Sequence, residues 1–72
     1  MNDEVKRKQK RMRDICRDII GKAERMLDDI KDVEDPDDLT VIEQGFGLIE
    51  EWSREGYDVV LNTYDEFEEK PE

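Results

Sequence analysis

A heptad repeat of apolar residues runs through this chain and breaks once, at Glu34-Asp35-Pro36-Asp37-Asp38. Before the break, Val5, Met12, Ile19, Met26 and Val33 recur every seven residues, with Gln9, Cys16, Ala23 and Ile30 set four residues after the first four of them. After it, Leu39, Ile42, Phe46, Ile49, Ser53, Gly56, Val60, Thr63 and Phe67 alternate in steps of three and four. That spacing keeps one stripe of a helix facing a partner helix, and it is incompatible with the period of two that a strand requires.

The break itself specifies how the two helices meet. Asp35 is a favourable N-cap, Pro36 suits the first helical position, and Asp37 and Asp38 suit the positive end of the helix dipole. The proline also pushes residue 35 out of helical geometry. A helix over 2–33, capped by Asn2, is thus followed within a few residues by a helix over 36–69. So short a connection makes antiparallel neighbours, an αα-hairpin. Gly56 offers an alternative, as a C′ glycine that ends the second helix and leaves Asp58 to cap a short third one. The unbroken helix is the expectation, because it matches the first in length. The fold class expected is therefore all-α, one helical domain over 1–72 with a flexible tail at 70–72.

Apolar residues make up 35% of the 72 and charged ones 47%. High charge with low hydropathy also suits disorder, but the strict periodicity argues for a folded chain. A lone hairpin of this size has little core to close over. The second helix also carries more apolar surface than one neighbour covers. Beside its first seam runs another, Val41, Gly45, Leu48, Trp52 and Val59. The expectation is a homodimer, a four-helix bundle, with Val41, Leu48, Trp52 and Val59 as the dimer or partner interface. Phe46 and Trp52 are expected mostly in the core.

The charges are sorted. Residues 1–31 hold 10 of the 12 bases and 7 of the 22 acids; residues 32–72 hold 2 bases and 15 acids. Folding the chain at residue 35 turns this split along the sequence into a split along the long axis. Residues 1–17, with 7 bases and 3 acids, come beside residues 58–72, with 1 base and 6 acids. The turn end, residues 28–43, keeps 8 acids against Lys31 alone. The acidic tip, Asp28, Asp29, Asp32, Glu34, Asp35, Asp37, Asp38 and Glu43, is the expected partner-binding surface, for a basic protein surface. Lys6, Lys10, Arg13 and Arg17 are the alternative, a cationic face for nucleic acid.

Catalysis is not expected. The chain has no histidine, hence no nucleophile–histidine pair. Asp28-Asp29-Ile30-Lys31-Asp32 matches a DDxxD pattern for metal-bound diphosphate, but 22 acids make such a pattern common by chance and a hairpin encloses no cavity. Residues 32–38 lack the glycine and terminal glutamate of a calcium loop. Gly45-Phe46-Gly47 lacks the strand–turn context of a phosphate loop. Cys16, on the seam, is expected to be a buried small apolar residue. No metal or cofactor is expected. Nothing resembles a signal peptide and no stretch could span a membrane, so a cytoplasmic protein is expected.

These observations together lead to a non-enzymatic, acidic helical binding protein, a regulator or inhibitor of the antitoxin, phage-inhibitor or nucleic-acid-mimic type. The alternatives are a nucleic-acid-binding helical dimer and a structural dimerisation or adaptor module. No family's motif residues are matched.

Overall fold

The computed structural model describes residues 3–67. Helix α1 spans Asp3–Lys31 and helix α2 spans Pro36–Tyr64, followed by a 3-10 turn at Asp65–Phe67. The two helices pack side by side as an antiparallel hairpin, and there is no strand among the described residues. The second helix, expected to reach 69, ends as an α-helix at Tyr64 and tightens into the 3-10 turn; the proposed Asn2 cap and the tail at 70–72 lie outside the described residues.

The turn is built by two aspartates. Asp35 is extended (φ −145°, ψ 172°), and its Oδ1 accepts from the N–H of Asp37 at 3.0 Å and of Asp38 at 3.3 Å. Asp38 answers with Oδ2, which accepts from the N–H of Glu34 at 2.9 Å and of Asp35 at 3.2 Å. Backbone donors that no helix can satisfy are thus satisfied reciprocally, an Asp–Asp version of the capping box. This fixes the start of α2 at the residue the sequence indicates, and it stops α1 at Lys31, two residues earlier than expected.

Helix α2 runs through Gly56 without a break, and none of the glycines takes a positive φ. Gly56 lies against Ile15, so packing rather than a turn uses this position. Gly45 is more demanding. A Cβ there would stand 2.7 Å from Met26 Sδ and 3.0 Å from its Cγ. Only glycine admits Met26 this deeply, and Met26 is accordingly 3% exposed.

The seam differs from the expected one by a rotation of each helix. In α1 the contact row is Val5, Lys8, Met12, Ile15, Ile19, Lys22 and Met26, all buried or half-buried. The expected second row, Gln9, Cys16 and Ile30, is exposed, with only Ala23 half-buried. In α2 the row is Asp38, Ile42, Gly45, Ile49, Trp52, Gly56, Val59 and Thr63, in strict steps of four and three. It takes one row from each of the two seams in the sequence. The physical reason is that α2 presents two adjacent apolar seams, and α1 settles between them, where Gly45 and Gly56 leave room for the Met26 and Ile15 side chains. Ile15 then turns inward, 3% exposed, in place of Cys16, and Lys8 and Lys22 lay their aliphatic stems along the contact. Phe46, expected in the core, is 58% exposed, while Trp52 is half-buried. Buried Thr63 is satisfied by donating to Val59 O at 2.6 Å.

Candidate functional site

The two ends of the rod differ in how their charges are used. At the open end, Lys8 Nζ donates to Asn62 O at 3.2 Å and pairs with Glu66 Oε2 at 3.4 Å across the hairpin. Arg11 pairs with Glu55, also across the hairpin. Arg7 is held by Glu4 on its own helix, 2.9 Å away. Three residues of the basic run are therefore neutralised within the molecule. Lys6, Lys10, Arg13 and Arg17 are exposed, and among the described residues none of them makes an ion pair. Steps of four and three place them on one row of α1, turned away from α2.

At the turn end there is no such compensation. Among the described residues no cation pairs with Asp28, Asp29, Asp32, Glu34, Asp37 or Glu43, and all six are exposed. The eight expected tip acids divide by their use. Asp35 and Asp38 build the turn, and Asp37 lies in the first turn of α2, where a negative charge meets the positive end of the dipole. Asp28 and Asp29 stand in the last turn of α1, and Asp32 follows it. There a carboxylate opposes the negative end of the helix dipole, at a cost of about 0.3–1 kcal/mol each. Asp29, Asp32 and Asp38 border a shallow depression of about 110 Å³ with Val41 in its wall. Acids of both helices thus surround an exposed apolar side chain.

The seam expected as an interface is divided. Trp52 and Val59 are half-buried in the hairpin contact, while Val41 and Leu48 stand exposed beside it. Charged groups interrupt this face. Trp52 lies in a hollow with Arg17, Asp18, Lys22 and Arg25, and Leu48 in one with Glu50 and Glu51.

The uncharged face is the other one. Rotation of the helices leaves there the rows that the contact does not use. Ala23, Met26, Leu27, Ile30, Phe46 and Ile49 line an apolar groove of about 250 Å³. Met12, Ile15, Cys16, Ile19, Ser53 and Val60, with Gly56, line a second one of about 330 Å³ on the same side. Leu39 and Phe67 continue the Phe46–Ser53–Val60 row by steps of seven, and Tyr57 and Tyr64 lie one turn beyond Ser53 and Val60. All four are exposed, as are Ile20 and Leu27 from α1. Cys16, exposed, belongs to this face rather than to the seam. Sequence reasoning placed no role on Tyr57, Tyr64 or Leu27 as a group; their signal was a helical row without charge, visible once the seam is fixed.

Among the described residues no group of three or more Asp, Glu, Cys or His side chains converges to hold a metal ion, and no helix is long and apolar enough to cross a membrane. In class the fold is an all-α antiparallel hairpin, carrying an uncompensated acidic tip and one uncharged face. Comparison with family models, with curated proteins and with solved structures finds no significant match.

Proposed function

We propose that this chain is a non-enzymatic binding protein, a regulator or inhibitor that docks its acidic tip on a basic surface of a partner protein. The observation that carries this reading is the placement of Asp28, Asp29 and Asp32 at the wrong end of the α1 dipole, without cationic partners among the described residues. A folded chain gains nothing in stability from carboxylates there. Residues that break a local rule without a structural return mark the sites that function maintains. The recognition chemistry follows from the depression at Asp29, Asp32 and Asp38. A lysine or arginine of the partner lays its stem on Val41 and its head group among the carboxylates.

The test is capture of a partner by the full chain at low salt and at 0.5 M salt, with the Asp28→Asn/Asp29→Asn/Asp32→Asn variant alongside. Binding that vanishes both at high salt and in the variant supports the reading. Binding that survives 0.5 M salt refutes an electrostatic dock, because the Debye length there is only about 4 Å.

A second reading has one observation in its favour, the exposed row Lys6, Lys10, Arg13 and Arg17, which keeps its charge while Lys8 and Arg11 are spent on the hairpin. It makes the chain a nucleic-acid binder that contacts phosphates. It requires an RNA or DNA mobility shift that grows when residues 65–72 are removed, and it fails if that truncation shifts neither.

A further inference from the structure

We infer that the uncharged face is covered by a second copy of this chain, lying face to face with its turn at the opposite end, so that α1 packs on the partner's α1 and α2 on the partner's α2.

Three observations carry the inference. The first is what the face lacks and what it holds. It presents Ile20, Leu27, Phe46, Val60 and Tyr64 with small residues between them, Cys16, Ala23 and Ser53. Contiguous apolar surface of this kind on so small a protein is an interface rather than a surface. Among the described residues only Val5, Ile15, Met26 and Ile42 form the buried apolar core of the hairpin. A chain with so little core of its own needs a cover that is present whenever the chain is, and a second copy is the one partner that always meets this condition.

The second observation is area. The hairpin is 17 Å wide, and 29-residue helices at 1.5 Å per residue give the face a length of about 40 Å. One copy then contributes about 700 Å² and a pair about 1,400 Å², within the range of stable specific interfaces, about 1,200–2,000 Å². A face packed on a face also completes the square cross-section of a four-helix bundle, which a hairpin 10 Å thick supplies only by half.

The third observation is charge, and it selects the polarity. Two hairpins can meet face to face with their turns together or with their turns apart. Turns together stacks two tips, each with 8 acids against Lys31 over residues 28–43. Turns apart moves the tips about 40 Å from each other, several Debye lengths at physiological salt. It also pairs opposite charges. One row of α1 reads Lys6, Lys10, Arg13 and Arg17 in its first half, then Glu24 and Asp28 before Lys31. Antiparallel contact of α1 with its own copy sets the basic half of each row beside the acidic half of the other. The cluster at Asp29, Asp32 and Val41 is on the far side of the hairpin, in line with Arg25 and Trp52, and stays open in such a dimer. Asp28 lies on the row paired in the dimer, so tip binding is separable from dimerisation at Asp29 and Asp32 but not at Asp28.

The experiment uses the full chain. Light scattering and sedimentation give the mass, expected at twice 8.6 kDa, and a monomer at all concentrations up to millimolar overturns the inference. Phe46→Asp, on the uncharged face, is expected to abolish the dimer, and Leu48→Asp, on the other face, to leave it intact; the reverse pattern overturns the face assignment. Circular dichroism on both variants tells dissociation from unfolding. Polarity is read independently of those variants, on a Cys16→Ser/Lys31→Cys chain that carries one spin label per copy at the turn. Turns apart gives a label separation of about 40 Å, whereas a separation under about 20 Å, two helix diameters, overturns the polarity.

Discussion

Gly45 is the position where the packing of the hairpin can be measured most directly. In an exposed helix interior, Gly→Ala gains about 1 kcal/mol. Gly21 and Gly47 meet that description, since a Cβ at either would find nothing within 4 Å. Gly21→Ala and Gly47→Ala are therefore expected to stabilise by about 1 kcal/mol each, or about 4–8 °C in melting temperature for a domain of this size. Gly45→Ala has the same intrinsic gain but places its Cβ 2.7 Å from Met26 Sδ, so the Met26 side chain, 3% exposed, must shift out of its packed position. Overpacking costs about 1–3 kcal/mol, so the net change runs from about zero to a loss of 2 kcal/mol. Urea unfolding followed by circular dichroism, at one fixed protein concentration, measures all three. Met26→Ala closes the cycle. It costs about 2–5 kcal/mol alone, but in that background Gly45→Ala has space and recovers its full gain. A coupling of 1 kcal/mol or more between the two sites is expected. The reasoning is refuted if Gly45→Ala stabilises as much as Gly47→Ala, or if the cycle is additive within about 0.5 kcal/mol.

The seam and the caps make further predictions. Ile15→Ala should cost about 2–5 kcal/mol in urea unfolding while Cys16→Ala costs under about 1 kcal/mol, because Ile15 is buried within the hairpin and Cys16 lies outside its seam, on the face given to the second copy. Equal losses at both would restore the seam that the heptad alone indicates. Asp35→Ala should lower stability by about 1 kcal/mol, seen as a fall in melting temperature, since two backbone donors lose their acceptor. Glu55→Gln and Glu66→Gln should each cost less than about 1 kcal/mol at low salt, and thermal melts at 0.5 M salt should show the difference from the parent gone.

The hairpin was legible because its signals are local. Asp35-Pro36 fixes a cap and a first helical residue by covalent geometry and nearby hydrogen bonds, and the seven-residue period fixes which residues can share a face. The rotation of the helices was not legible, because α2 offers two adjacent seams and period alone does not choose between them. The choice goes with where glycine leaves room for a side chain of α1, at Gly45 for Met26 and at Gly56 for Ile15. A glycine in a helical pattern read only as a helix weakener hides that information. One consequence travels to the candidate sites: Cys16 and Phe46 move from core to surface, Trp52 keeps a half-buried place in the hairpin contact, and Val59 moves into that contact from the expected dimer or partner interface. At the tip, charge counting identified the region but gave every acid the same weight, because capping bonds depend on backbone geometry.

That difference in weight separates stability from binding at the turn. Asp35 and Asp38 hold the backbone of residues 34–38 by four hydrogen bonds, so Asp35→Asn weakens the turn and lowers binding only through loss of structure, whereas Asp38→Asn also removes a carboxylate from the depression. Asp28 and Asp29 oppose the α1 dipole and, among the described residues, have no ion-pair partner. Their neutralisation removes an unfavourable charge–dipole contact and a share of the repulsion within the tip. Asp28→Asn/Asp29→Asn is thus expected to raise stability by about 0.5–2 kcal/mol, while it lowers affinity for a basic partner and flattens the salt dependence of that affinity. Urea unfolding and a salt titration of binding read the two quantities on the same variant. Opposite signs are what a surface kept for binding at the expense of stability requires. A variant that is less stable than the parent would show that these carboxylates serve the fold, and would remove the ground for placing the partner at the tip.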